Sequence, residues 1–145
     1  ERIDHSAADT IESCHEIEKY LGAVICKNLF LRNSAKTQFW LLLISPDKTF
    51  VSKDISKKLN STRLSFASPD DMQKHLGLTP GSASILGIIN DTADNVKIAV
   101  DKELLEKEFF CCHPCKNTST LKFRTTDIFE KFIPSTGHNY ITIDV

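Results

Sequence analysis

Residues 39–44, Phe-Trp-Leu-Leu-Leu-Ile, form an unbroken apolar run. A strand with one wet face alternates apolar and polar residues, so a run without alternation needs cover on both faces. The run at residues 39–44 therefore suggests a central strand covered on both faces. A second apolar stretch lies just upstream, Ala23-Val24-Ile25 and then Leu29-Phe30-Leu31, with Lys27 and Asn28 set inside it. Burying an unpaired ammonium is costly, so Lys27 has to reach water, a carboxylate or an anionic ligand. The plain reading is a strand end whose lysine snorkels to the surface. The functional reading is a cation held for an anion.

The chain has 145 residues, the size of one ordinary domain, and a single domain over residues 1–145 is expected. At 41% hydrophobic and 26% charged residues it can bury a core. A net charge of −1 argues against broad nucleic-acid binding but leaves room for a local basic patch at one RNA end. No stretch approaches the length of a transmembrane helix, so no membrane association is expected. The N-terminus lacks a charged-then-apolar signal pattern, which points to a cytoplasmic chain. The odd count of 5 cysteines then reads as reduced thiols. Cys14 and Cys26 sit on apolar faces as small core residues.

Asp9 to Leu21 reads as a helix opened by an Asp9–Glu12 pair and closed at Gly22. Ala23 to Leu31 reads as a strand, and Arg32 to Lys36 as a polar turn. Pro46-Asp47-Lys48 turns into a short strand at Thr49 to Val51, followed by a helix from Lys53 to Leu59. Arg63 to Phe66 is a brief strand. Ser68-Pro69-Asp70-Asp71 is a strong helix start, and that helix ends at Gly77. Further strands are expected at Ile85 to Ile89, Val96 to Val100, Phe109 to Cys112, Ser119 to Arg124 and Tyr140 to Asp144. Asp101 and Thr126 are expected to cap short helices running to Lys107 and Ile133. Short strands mixed with short helices, without regular βαβ alternation, indicate an α+β fold with a mixed sheet.

The chain has no Ser-His-Asp order, no phosphate-binding P-loop and no Rossmann glycine pattern. Cys111-Cys112-His113-Pro114-Cys115 invites a zinc reading, but zinc knuckles use separated pairs of ligands. Adjacent cysteines on a strand also point to opposite faces. His113-Pro114 with Asn117-Thr118 reads equally as an ordinary turn or as a histidine and an amide at a pocket mouth. Gly81-Ser82-Ala83-Ser84 is a small-residue loop of the kind that lets backbone N–H groups approach an oxyanion, or a plain turn. Lys53, Lys57, Lys58 and Arg63 form one basic cluster, and Lys116, Lys122 and Arg124 another. Such clusters are usually solvated faces, though either could meet a phosphate backbone.

Four segments together carry a resemblance. They are Cys26-Lys27-Asn28-Leu29-Phe30-Leu31, Arg63-Leu64-Ser65-Phe66-Ala67, Leu76-Gly77-Leu78-Thr79-Pro80-Gly81-Ser82, and His113-Pro114 with Asn117-Thr118. Asp101-Lys102-Glu103-Leu104-Leu105 and Thr136-Gly137-His138 extend it. In this order and spacing the chain resembles the prolyl-tRNA editing domain family, the YbaK/ProX superfamily, from about Thr10 onward. The resemblance implies a mixed, partly barrel-like β-sheet flanked by short helices, with a small pocket for an aminoacyl group on a tRNA 3′ end. It implies hydrolysis of mischarged aminoacyl-tRNA(Pro), Ala-tRNA(Pro) foremost, without metal or cofactor. The partners it implies are the tRNA(Pro) 3′ end and acceptor stem, with prolyl-tRNA synthetase as a further candidate.

By the same resemblance Lys27 matches the key lysine, and Gly81 the first position of a Gly-x-x-x-Pro loop. His113 matches the pocket histidine, and Thr10, Asn28 and Asn117 fall where the family places polar pocket residues; Phe30, Ser82 and Ser84 are further substrate-binding candidates. Ile85 stands where the loop's proline is expected. That departure keeps a second reading open, a catalytically silent relative that binds an amino acid or aminoacyl-tRNA. A structural zinc module is the third.

Overall fold

The computed structural model describes residues 1–8 and 10–145. Among the described residues eight strands and five helices follow in chain order: β1 (Arg2–Asp4), α1 (Ile11–Leu21), β2 (Lys27–Arg32), β3 (Phe39–Ile44), α2 (Ser52–Lys58), β4 (Ser65–Phe66), α3 (Pro69–Leu76), β5 (Val96–Asp101), α4 (Lys102–Leu105), β6 (Phe109–Cys112), β7 (Ser119–Arg124), α5 (Ile133–Ser135) and β8 (Tyr140–Ile143). A 3₁₀ turn, Ile85–Asn90, precedes β5, and a wide π-type turn, Asp127–Phe132, runs into α5.

Five strands form a mixed sheet in the order β4-β2-β3-β5-β8, antiparallel from β4 to β3 and parallel from β3 to β8. The other three form an antiparallel sheet in the order β1-β7-β6. The fold is α+β, as the sequence indicates. Among the described residues the sheets do not close into a barrel. They meet at one parallel bridge, Ile25 with Cys111, where Cys26 N–H donates to the Cys111 carbonyl at 3.0 Å and Cys111 N–H to the Val24 carbonyl at 2.7 Å. The segment 23–26 is therefore the joint between sheets, and β2 itself begins only at Lys27.

Every residue of β3 is buried, and its side chains divide by parity. Phe39, Leu41 and Leu43 face a core that includes Phe30, Met72, Leu76, Ile88, Phe110 and Phe129. Trp40, Leu42 and Ile44 face a second core with Ile55, Leu59, Leu64 and Ile143. The unbroken apolar run thus has the double cover it demands, and each fully buried leucine there contributes about 2 kcal/mol.

Helix termini follow the residues written at them. Thr10 caps α1 by accepting from Ser13 N–H, and Gly22 closes it at φ +64°. The expected Asp9 cap lies outside the described residues. Ser68 caps α3, with Asp71 reaching back to the Ser68 N–H and Gly77 closing the helix at φ +64°.

Several expected elements differ. Ile85 to Ile89 is a 3₁₀ turn instead of a strand. A short apolar run fits either, and here Ser84 caps the turn through Leu86 N–H at 3.2 Å. Thr49 to Val51 is an extended lead into α2 with no ladder partner among the described residues. Asp101 and Thr126 make no side-chain cap. The Asp101 carboxylate turns to Lys48 instead, with Oδ2 2.8 Å from Nζ.

Candidate active site

β2 lies between β4 and β3 in the antiparallel half of the large sheet, and its first residues open onto a cavity of about 470 Å³. Lys27, Asn28 and Phe30 come to it from β2, Gly81 and Ala83 from the loop after α3, and His113 from the end of β6. Phe66, Ala67 and Met72 complete its apolar side. That volume falls in the range of small-molecule sites.

Lys27 is exposed, and its Nζ donates to the Lys48 carbonyl at 2.7 Å. Its ammonium therefore stays solvated and is steered by one main-chain acceptor. Lys48 is itself fixed, with Nζ 2.8 Å from the buried Asp101 carboxylate and 3.0 Å from Glu103. The hydrogen bond to Asp101, reinforced by Glu103, raises the Lys48 pKa above its ordinary value. The chain Asp101–Lys48–Lys27 thus ties the cation at the cavity to the end of β5.

Asn28 donates through Nδ2 to the Cys26 carbonyl at 3.2 Å and to Cys26 Sγ at 3.3 Å. Its Oδ1 is shielded and has no partner among the described residues. Phe30 is buried and stacks on Phe39 at 5.7 Å between centroids.

Gly81 has φ +86°, and a Cβ there would meet no atom within 4 Å. The demand for glycine is one of backbone conformation, not of space. The Ser82 N–H is occupied by the Thr79 carbonyl at 3.1 Å. The N–H groups of Gly81 and Ala83 form no hydrogen bond among the described residues, and both residues line the cavity. Ser82 and Ser84 stand behind the wall. Ser82 Oγ donates to the Thr79 carbonyl at 2.7 Å, and Ser84 Oγ to the His113 carbonyl at 2.6 Å. Ser84 therefore links the glycine loop to the histidine loop. Ile85, at the position of the missing proline, is fully buried and opens the 3₁₀ turn. Proline is well tolerated at the first position of a helical turn, so the two residues suit the same corner.

His113 Nδ1 lies 2.9 Å from the Ser119 carbonyl, which can only accept, so Nδ1 carries the proton. In the neutral ring the lone pair is then on Nε2. Thr120 Oγ1 links His113 Nδ1, at 3.4 Å, to His5 Nε2, at 2.8 Å.

Besides Ser82 and Ser84, two further expected residues do not line this cavity. Thr10 lines a neighbouring cavity under α1, which shares Ile25, Cys26 and Lys27 with the first. Asn117 lies in the loop before β7, where its carbonyl accepts from Ala8 N–H at 3.1 Å.

The cysteines divide between cores. Cys112 packs with Cys26 in the core under Phe39, whereas Cys111 packs against Ile17 and Leu21 of α1. Adjacent thiols on opposite faces do not converge on one metal. Burial pushes both the Cys26 and the Cys111 thiol up to about 12. The cluster of metal-type donors among the described residues is a different one, Asp91, Asp94 and His138.

Sequence reasoning missed Phe66, Met72 and Lys48. Phe66 lies within a segment of the resemblance, so its position was available. Lys48 acts through its carbonyl, which no side-chain pattern reveals.

The family profile described as the aminoacyl-tRNA editing domain matches residues 5–131. The prolyl-tRNA editing protein ProX of Acetoanaerobium sticklandii is 34% identical over 143 residues, covering 99% of this chain and 87% of that protein. The prolyl-tRNA synthetase associated domain-containing protein 1 of Xenopus laevis is 33% identical, covering 97% and 84%. A candidate trans-editing enzyme for prolyl-tRNA synthetase superposes with a TM-score of 0.73 at 15% identity, over 99% of this chain and 84% of that one, a likeness of fold. The chain belongs to the aminoacyl-tRNA editing domain family. Among the described residues no helix is long and apolar enough to cross a membrane.

Proposed function

We propose that this chain is a single-domain cytoplasmic deacylase that hydrolyses mischarged aminoacyl-tRNA(Pro), with Ala-tRNA(Pro) as the preferred substrate. The observation that carries the reading is the convergence of Lys27, Gly81 and His113, distant in sequence, on one cavity. The identity to the prolyl-tRNA editing protein ProX supports the prolyl-tRNA context, and prolyl-tRNA synthetase is the natural supplier of the mischarged ester.

An aminoacyl ester is already activated, so hydrolysis needs a positioned water and a stabilised oxyanion more than a strong nucleophile. Water attacks the ester carbonyl, the acyl–oxygen bond breaks, and the free amino acid and the tRNA hydroxyl leave. Lys27 holds the terminal phosphate or ribose. A unit charge pair at about 4 Å is worth on the order of 4 kcal/mol at a surface-like dielectric. The N–H groups of Gly81 and Ala83 are the donors available to the developing oxyanion. A ribose hydroxyl of the terminal adenosine assists the water, and His113 shapes the wall. The orphan Oδ1 of Asn28 is an acceptor that a small rotation would offer to the substrate amine.

A cavity of about 470 Å³ admits a prolyl as well as an alanyl group by volume, so discrimination has to come from the shape of the wall at Phe30 and Met72. The test is to incubate the protein with Ala-tRNA(Pro), Cys-tRNA(Pro) and Pro-tRNA(Pro) and follow each ester. Preferential loss of the alanyl ester supports the reading. Equal loss of the prolyl ester contradicts the assigned preference, and loss of none contradicts the activity and favours a silent binder.

A further inference from the structure

The Lys27 cavity continues over the surface in two directions. On the α1 side it meets the cavity of about 540 Å³ whose polar rim includes Glu18 and Asp47. On the α2 side it meets a shallow depression lined by Lys27, Lys48, Phe50 and Phe66. A separate depression of about 540 Å³, bounded by Lys53, Lys57, Arg63 and the serines at 52, 56 and 61, is built from the chain that follows Phe50 and precedes Phe66. The two carboxylates on the first route would repel a polyanion. On the second side Lys48 is paired, and the cations left unpaired are Lys53, Lys57 and Arg63.

Two features of the second side are unexplained by folding. Lys53, Lys57 and Arg63 are exposed, and among the described residues none lies within ion-pair distance of a carboxylate. Lys58 of the same helix is engaged elsewhere, by the Asp144 carbonyl, and Asp54 does not line the depression. Phe66 leaves 60% of its surface in solvent although it borders the cavity, and its ring lies 5.4 Å from Phe50 at 59°. An edge strand carrying a bare phenylalanine between a cavity and a set of unpaired cations suits a ligand with flat rings and repeated negative charge. A single-stranded nucleic acid has both.

We propose that Phe50 and Phe66, followed by Lys53, Lys57 and Arg63, form the track for the single-stranded 3′ end of the RNA whose terminal ester enters the Lys27 cavity. This rests on the deacylase reading and gives it a direction. Bases next to the ester stack on Phe66 and Phe50, and the phosphates behind them meet the ammonium and guanidinium groups. Arg63 precedes Phe66 by three residues of extended chain, about 10 Å, a reach of a few nucleotides. The Ser61 hydroxyl, buried and without a partner among the described residues, adds a donor at the same depression. A net charge of −1 is compatible with such a track, because three cations without ion-pair partners line one depression.

The test uses fluorescently labelled, deacylated tRNA(Pro) and measures affinity across a salt series. The variants are Lys53→Ala/Lys57→Ala/Arg63→Ala and Phe66→Ala, each checked for folding by thermal melting. Each lost phosphate contact on a single strand flattens the log–log salt slope by about 0.7, so the triple variant is expected to lose about 2 from the slope. Phe66→Ala should weaken binding about tenfold with the slope retained, as expected for lost stacking. A folded triple variant with the parent's slope would overturn the track, as would binding that is insensitive to salt. Because the tRNA carries no ester, failure of the deacylase reading leaves this result interpretable. A track that fails leaves the ester assay standing.

Discussion

At the scale of single residues the account rests on Lys27 and Gly81. Lys27 is exposed and makes one hydrogen bond, to a carbonyl, so its removal should not disturb the core. Lys27→Ala is expected to lower kcat/KM for the alanyl ester on the order of 1000-fold, the worth of the charge pair, with the melting temperature nearly unchanged. Gly81 differs, because its φ of +86° disfavours any side chain even though space is free. Gly81→Ala should cost about 1–2 kcal/mol of stability and about 100-fold in kcat, as the loop's donors shift. Steady-state kinetics beside a thermal melt would separate the two, and a Gly81→Ala enzyme with full kcat would remove the loop from the mechanism. The sequence singles out both as candidates, Lys27 because a cation inside an apolar stretch demands a reason, Gly81 through the resemblance, and both line the cavity. What was not legible is the support behind them. Asp101 and Lys48 fix a carbonyl, and Ser84 fixes another, and main-chain acceptors leave no trace in a residue pattern.

At the scale of elements, termini with side-chain caps were readable and those set by tertiary contacts were not. Ser68-Pro69-Asp70-Asp71 predicts the start of α3, and Asp71 indeed bonds Ser68 and pairs with Arg32 of β2 at 2.6 Å. The Ser68 hydrogen bonds, with Arg32 adding to them, hold the Asp71 carboxyl below its ordinary pKa. A lowered folded pKa stabilises the fold above the unfolded value of about 4, and that stability is lost as pH falls through the lowered value. Asp71→Asn should therefore destabilise by about 1 kcal/mol at neutral pH, with the gap to the parent closing in acid. Denaturation at pH 7 and pH 3 measures it, and a gap that widens in acid would contradict the sign. The run from Ile85 to Ile89 has the apolar pattern of a strand yet forms a 3₁₀ turn, because periodicity cannot distinguish a buried turn from a buried strand over so few residues. Asp101 and Thr126 have capping residue types, but Asp101 is drawn to Lys48 and Thr126 enters a π-type turn.

At the scale of the whole molecule, the apolar run 39–44 constrains more than any motif, since its two faces each build a core on either side of one sheet, with a third, smaller cluster under α1. The order of strands around it was not legible, because parallel partners such as β5 and β8 are chosen by contacts distant in sequence. The thiols behave as core residues at this scale. With Cys26, Cys111 and Cys112 buried and Cys26 and Cys111 pushed up to about 12, alkylation by iodoacetamide at pH 8 should mark Cys14 and Cys115 well before these three. Mass spectrometry of the intact fold reads this directly. Early labelling of Cys26 would mean that the cavity opens further than the structure shows.

The part Lys27 plays in the reaction is read by single-turnover deacylation of Ala-tRNA(Pro) by the parent chain and by Lys27→Ala, each verified as folded. The account predicts rapid loss of the ester with the parent and loss near the spontaneous rate with the variant. Equal rates in the two would contradict it, because the cation at the cavity would then have no part in the reaction.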